Sequence, residues 1–214
     1  MTVQELANIG KPDVPEQYML GNHGIEATMM DDMMTVSREL FRRPFDDKQR
    51  YTNLIDGEQF QLEGDVLHEF TKKCGRVKDH LLRAMATLLE LNHDDYFVDQ
   101  PGEKAETNVR CSYYPQCPRP ELVFGLKPHC DGTILTILMV DDNVGGLQVL
   151  RDGVWWDVPT IPRTLLVIIG DQTEILSNGF FTSPVHRVVT NAKKERLSVA
   201  LDYVDHEREI EPSP

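Results

Sequence analysis

His129 and Asp131, in the stretch LKPHCD, and His186, in SPVHRVV, are residues whose types could hold a metal ion. His129 and Asp131 stand two positions apart. In an extended segment successive side chains alternate faces, so both would point the same way. Two imidazoles and one carboxylate on one face of an octahedral ion leave three positions open, a donor set that suits Fe(II) working with O2 and an organic co-substrate. A His-x-Asp triplet alone is common, and a polar His in a solvated turn is its ordinary explanation. A second pair, Arg196 and Ser198 in KERLSVAL, shares a face by the same alternation. A guanidinium fork can clamp a carboxylate through two parallel hydrogen bonds, and a neighbouring hydroxyl adds another. A 2-oxo dicarboxylate needs such a clamp, since its oxo-acid end chelates the metal and its far carboxylate requires a cation. By itself an Arg-x-Ser is an ordinary surface pair.

These residues need a scaffold that brings together positions distant in sequence. From Asn108 onward, short runs rich in β-branched and aromatic residues alternate with Gly, Pro and Asp turns. The runs are Val109–Tyr114, Lys127–Cys130, Thr133–Val140, Gly146–Leu150, Val154–Val158, Leu165–Ile169, Val185–Val189 and Leu197–Val204. Eight such strands with no helical pattern between them predict a double-sheet jelly roll, a double-stranded β-helix. In that fold, strand ends converge at the barrel mouth, which would gather His129, Asp131 and His186 around one metal. Upstream the pattern is helical. A short helix is expected around Val3–Asn8. A second has the stripe Ile25, Met29, Met33, Val36 and Leu40 and stops at Pro44. Tyr51–Gly64 is polar and irregular. A third helix, about Val66–Leu91, has the stripe Leu67, Phe70, Cys74, Val77, Leu81, Met85 and Leu88, with Asn92 or Asp94–Asp95 marking its exit. His68 and His80 fall off that stripe and read as surface residues; His93, in a turn-like cluster, reads as structural. The fold class is therefore mainly β with an N-terminal helical annex, α+β overall. The expected organisation is a helical region over 1–106, a jelly-roll domain over 107–206 and a tail over 207–214.

Composition narrows the function. The chain has 214 residues, 40% hydrophobic and 27% charged, ordinary values for a globular protein. A net charge of −13 argues against a nucleic-acid partner. No apolar run approaches the roughly 20 residues of a membrane span, and the N-terminus lacks a signal peptide's apolar core. The four cysteines, Cys74, Cys111, Cys117 and Cys130, have no CxxC spacing and read as free thiols of a reducing compartment. The expected location is the cytoplasm.

The run from HCDGTILTILMV through GLQVLRDG, GDQTEILSNG and SPVHRVV to KERLSVAL, with SYYPQCPRPEL before it, closely resembles the plant soluble 2-oxoglutarate- and Fe(II)-dependent dioxygenases. That family includes anthocyanidin synthase, flavonol synthase and the gibberellin oxidases. The likeness spans about Val109–Tyr203, and VQELA, VPEQY, NHGI and LFRRPFDDKQR look like the family's N-terminal region. The resemblance implies that His129, Asp131 and His186 bind iron and that Arg196 and Ser198 bind 2-oxoglutarate. Tyr114 matches the tyrosine of the family's Asn-x-Tyr element and is implied as a further 2-oxoglutarate contact. Ser112 stands where the family usually has Asn. Relative to the family, the chain looks shortened before NHGI, around Gln61–Val66 and beyond Pro214, so the walls and lid of a substrate pocket are expected to be incomplete.

The implied activity is oxidation of a small plant metabolite (a flavonoid, alkaloid or hormone) by hydroxylation, desaturation or demethylation. Fe(II), 2-oxoglutarate and O2 take part, ascorbate serves as reductant, and 2-oxoglutarate leaves as succinate and CO2. Two other readings stay open: a shortened member that binds iron and 2-oxoglutarate without coupled turnover, and an ascorbate-dependent oxidase of the same fold. A cupin-like binding barrel is a more distant one. The expected partner is a small molecule, and self-association through exposed apolar surface is expected beside it.

Overall fold

A computed structural model describes residues 19–49, 65–99, 106–204 and Pro212. The helix expected around Val3–Asn8, the stretch Tyr51–Gly64 and, apart from Pro212, the tail from 207 lie outside the described residues. Two antiparallel sheets face one another. The larger has the order β1-β7-β4-β9-β2, with β1 Met19–Leu20, β2 Glu106–Tyr114, β4 Leu135–Val140, β7 Leu165–Ile169 and β9 Arg196–Val204. The smaller has the order β3-β8-β5-β6, with β3 Phe124–His129, β5 Leu147–Arg151, β6 Val154–Asp157 and β8 His186–Val189. All eight expected strands form, and the double-sheet architecture is that of the double-stranded β-helix. Two features differ from expectation. The two-residue strand β1 adds to the edge of the larger sheet at Leu165 and Leu166. A short helix, Asp171–Leu176, also interrupts the strands after β7, too brief to show a helical period in sequence.

Of the helices before the barrel, α1 spans Ala27–Arg42, α2 Phe45–Gln49, α3 Asp65–Leu88 and α4 Tyr96–Asp99; the helix Asp171–Leu176 is α5. Pro44 ends α1 as expected, because a residue before proline avoids the helical region. Arg43 accordingly sits at φ −64° and ψ 154°. Proline is tolerated at a helix start, where its missing N–H is not needed, and α2 begins directly after it with Lys48 N–H donating to the Pro44 carbonyl. Of the expected stripe Ile25, Met29, Met33, Val36 and Leu40, Ile25 and Met33 are buried and Met29 packs half-buried against the core, but Met30 and Ser37 are buried where Val36 and Leu40 are expected. Ser37 supports this rotation by donating its hydroxyl to the Met33 carbonyl at 2.8 Å. A polar residue on the buried side is invisible to a purely apolar period. In α3 the expected residues Phe70, Cys74, Val77, Leu81 and Met85 are all buried. Its end falls earlier than expected, at Leu88. Glu90 turns left-handed at φ 53° and Leu91 N–H reaches back to the Ala86 carbonyl, the wrap that commonly closes a helix.

The strands β4 and β7 are buried along their whole length because both of their faces are covered. Leu135, Ile137, Met139, Val167, Val199, Leu201 and Tyr203 pack outward with α1 and α3 in one apolar cluster. Leu138, Val140, Leu166 and Ile168 face inward and meet Leu147, Val149, Val158 and Val188. The barrel is thus backed by helices on one side and lined by apolar side chains within. Along β9 the inward positions are Arg196, Ser198, Ala200 and Asp202, paired across to Tyr114, Ser112, Arg110 and Asn108 of β2.

Candidate metal centre and co-substrate pocket

The three proposed ligands arrive from separate places. His129 ends β3 and His186 begins β8, and the two are paired across the ladder. Asp131 lies just beyond the end of β3, so strand alternation is not what places it. The following turn does so instead. Asp171 N–H, at the start of α5, donates to the Asp131 carbonyl at 2.8 Å, and Gln172 N–H donates to Thr133. Gly170 permits this approach, since a Cβ there would stand 2.0 Å from the Thr133 carbonyl oxygen. The ligand atoms of His129, Asp131 and His186 all lie within 4.8 Å of one another. Asp131 Oδ1 is 3.5 Å from His129 Nε2 and 3.6 Å from His186 Nε2.

The donor set fits a divalent transition metal, and the outer contacts set its orientation. His129 Nδ1 lies 2.7 Å from the Lys127 carbonyl and His186 Nδ1 3.0 Å from the Pro184 carbonyl. A carbonyl can only accept, so each Nδ1 carries the proton and each Nε2 presents its lone pair to the common centre. Such backbone partners fix tautomer and ring orientation in metal sites. Burial holds His186 below the usual imidazole pKa and so favours the neutral form a metal requires, while Asp131 pulls the other way. No sequence motif signals Lys127, Pro184 and Asp171, because their contributions come from backbone atoms.

Across the lumen, Arg196 is 3% exposed. Its Nη1 donates to Ser198 Oγ at 3.3 Å, and its guanidinium carbon lies 5.3 Å from the Tyr114 ring centre. Its Nε has no hydrogen-bond partner among the described residues. Burial lowers its pKa, while Tyr114 and Asp141 act to raise it. Asp141, however, is engaged elsewhere, by Arg38 at 2.8 Å. A buried guanidinium with an open donor and no carboxylate paired to it among the described residues fits an anionic ligand with a carboxylate end. Ser112, which departs from the family pattern, faces Ser198 in register. Among the other histidines, His68 and His80 are exposed, and His80 Nδ1 contacts the Arg76 carbonyl. His93 pairs with Asp99 at 2.9 Å, and His23 caps its own loop by accepting from Ile25 N–H.

A second polar group lies on the same inward face. Asp202 is buried and pairs with Arg110, and Thr136 donates to it at 3.3 Å. Burial holds its carboxyl above the usual range; Arg110 opposes this and Asp131 adds to it. Sequence reading missed this pair, since neither residue stands in a recognisable spacing.

Residues 105–204 match the model of the 2OG-Fe(II) oxygenase superfamily. The chain is 32% identical over 224 residues to "Jasmonate-induced oxygenase 2" of Arabidopsis thaliana, covering 87% of this chain and 60% of that protein. It is 34% identical over 221 residues to "Flavanone 3-dioxygenase 2" of Oryza sativa subsp. japonica, covering 86% of this chain and 64% of that one. The chain therefore spans less than two thirds of the length of these curated relatives. The crystal structure of JOX2 in complex with 2OG, Fe and JA superposes with a TM-score of 0.85 at 30% identity, over 98% of this chain and 73% of that one.

Proposed function

The chain belongs to the 2OG-Fe(II) oxygenase superfamily, and from that premise we propose that it is a non-haem Fe(II)- and 2-oxoglutarate-dependent dioxygenase acting on a small plant metabolite. The observation that carries this is the meeting of His129, Asp131 and His186 within 4.8 Å, with Arg196 buried further along the same barrel lumen and its Nε unpartnered among the described residues. In this reading His129 Nε2, His186 Nε2 and one Asp131 oxygen hold the metal. Arg196 and Ser198 receive the far carboxylate of 2-oxoglutarate, and Tyr114 flanks it. When bound, iron and 2-oxoglutarate supply the oxidising chemistry, in which O2 is consumed as the co-substrate becomes succinate and CO2. The chain's own residues orient the ligands and keep water out. Leu138, Val140, Leu147, Val149 and Val188 form the dry wall, and a low-dielectric surrounding strengthens every ion contact within it.

The flavanone dioxygenase relative and the JOX2 complex with JA support a flavonoid or a plant hormone as the substrate class. Ascorbate is proposed as the reductant that keeps the iron ferrous. The division into a helical region over 1–106 and a jelly-roll domain over 107–206 is part of the same proposal. A cytoplasmic location is supported by four cysteines with no disulfide; among the described residues no helix is long and apolar enough to cross a membrane. The test is incubation with Fe(II), 2-oxoglutarate and ascorbate beside jasmonate, a gibberellin and a flavanone, with succinate and oxidised product measured together. Product and succinate formed in equal amounts with one class support the proposal. Succinate without product from any of the three, with both co-substrate and metal bound, favours uncoupled turnover.

A further inference from the structure

We propose that Gly125 is a positioning residue for 2-oxoglutarate, because the absence of a side chain there lets the Tyr114 ring lie beside Arg196. This deepens the reading given above and rests on Tyr114 and Arg196 holding the co-substrate. Gly125 is the second residue of β3, an edge strand of the smaller sheet. A Cβ at that position would stand 2.7 Å from Tyr114 Cδ1, 2.9 Å from Tyr114 Cε1 and 3.1 Å from Val188 Cγ1. Glycine is not required by the backbone here: among the described residues the left-handed glycines are Gly24, Gly146, Gly153 and Gly179, and Gly125 is not one of them. The requirement comes from the tyrosine ring. Gly146, also near Arg196, differs in kind. It sits at φ 134°, and a Cβ there would meet the Val189 carbonyl oxygen at 2.8 Å, so alanine would strain the backbone.

The Tyr114 ring thus touches Gly125 on one strand and Arg196 on another. Tyr114 ends β2 directly opposite Arg196 in the register, and the guanidinium carbon is 5.3 Å from the ring centre. An added methyl at position 125 must displace either the ring or β3. The strand is held to β8 on both sides of position 125, Phe124 opposite Val189 and Leu126 opposite Val188 across a shift in register, and further on His129 stands opposite His186. The ring turns about side-chain bonds, so it is the part that yields. Moving it disturbs Arg196, with its open Nε, and leaves His129, Asp131 and His186 in place.

The experiment uses the full chain under anaerobic conditions with Mn(II) in place of iron, and measures 2-oxoglutarate affinity by calorimetry. Gly125→Ala is expected to weaken 2-oxoglutarate about tenfold, the scale of one lost contact to a charged group, with Mn(II) affinity unchanged. In a Tyr114→Ala background the same substitution should change affinity by less than about twofold, since the clashing ring is gone. Equal loss in both backgrounds, or no loss in either, overturns the inference. Should Gly125→Ala fail to fold, the double variant decides: recovery of folding without the ring supports it, and failure of both variants overturns it. Arg196→Lys provides the separate arm. If it leaves 2-oxoglutarate affinity unchanged, the co-substrate assignment fails and the role of Gly125 with it. If it weakens affinity while Gly125→Ala does not, the role of Gly125 alone fails.

Discussion

Replacing Arg196 by Met should make the protein more stable and abolish its response to 2-oxoglutarate. Arg196 is 3% exposed, and among the described residues its Nε has no partner and its neighbours are a hydroxyl and an aromatic ring rather than a carboxylate. Taking an ion out of water costs several kcal/mol, and apolar replacements of buried ionic groups often gain 1–4 kcal/mol. The Tyr114 face and the field of Asp141 recover part of that cost. A gain of about 1–2 kcal/mol is therefore expected for Arg196→Met, a rise of roughly 2–8 °C in Tm for a chain of this size. Ligand linkage has the opposite pattern. At 100 times its Kd, 2-oxoglutarate should stabilise the natural chain by about 2.7 kcal/mol, roughly 5–11 °C, and the Met variant not at all. The assay is thermal unfolding followed by circular dichroism, with Mn(II) present, with and without 2-oxoglutarate. A Met variant that is destabilised by more than about 1 kcal/mol, or that keeps the ligand-induced rise, would refute the reading of Arg196 as a ligand-seeking cation.

Alanine at His129, Asp131 or His186 should abolish tight Fe(II) binding and succinate formation, measured by metal analysis after gel filtration, whereas alanine at His68 or His80 should leave both unchanged. Arg196→Lys keeps the charge and loses the fork, so 2-oxoglutarate affinity should fall roughly 10- to 100-fold by calorimetry. At the barrel's other inward pair, Arg110→Ala leaves the buried Asp202 without its cation. It should cost about 1–2 kcal/mol by urea unfolding, near the low end because Arg110 is largely exposed. Burial raises the Asp202 pKa, so its contribution to stability is full below the ordinary Asp value, about 4, and is lost as pH rises through the folded value. Asp202→Asn should flatten that decline in a pH series of unfolding midpoints, and Arg110→Ala should steepen it. Leu122, Val123, Phe124 and Leu126 are exposed close together at an edge strand, so light scattering after size exclusion should show concentration-dependent association that Phe124→Ser reduces.

The barrel is legible in the sequence because its strands are short, β-branched and punctuated by turns such as Asp152–Gly153, where both residues take positive φ. The long helix α3 is equally legible, since Phe70, Cys74, Val77, Leu81 and Met85 repeat at helical spacing and are all buried. The face of α1 is legible only in part: Met33 is buried as its spacing anticipates, but Ser37 takes a buried position that an apolar period cannot show. The meeting of His129 and His186 follows from strand pairing, which the fold class anticipates. The position of Asp131 follows from a backbone bond to Asp171, which no side-chain pattern announces. The pairs Tyr114–Arg196 and Ser112–Ser198 become visible only with the register of β2 on β9. Arg110–Asp202 joins residues 92 positions apart and likewise needs that register.

The most direct test of the proposed chemistry is O2-dependent succinate formation from 2-oxoglutarate by the natural chain and by Asp131→Ala, with Fe(II) and ascorbate present. Asp131 is the carboxylate that completes the cluster with His129 and His186, while Arg196 and Ser198 are untouched by its loss. The natural chain should form succinate only when Fe(II), 2-oxoglutarate and O2 are all supplied, and Asp131→Ala should still bind 2-oxoglutarate weakly but form none. Succinate formation at the same rate by both chains, or none by a natural chain that has bound both Fe(II) and 2-oxoglutarate, would contradict it.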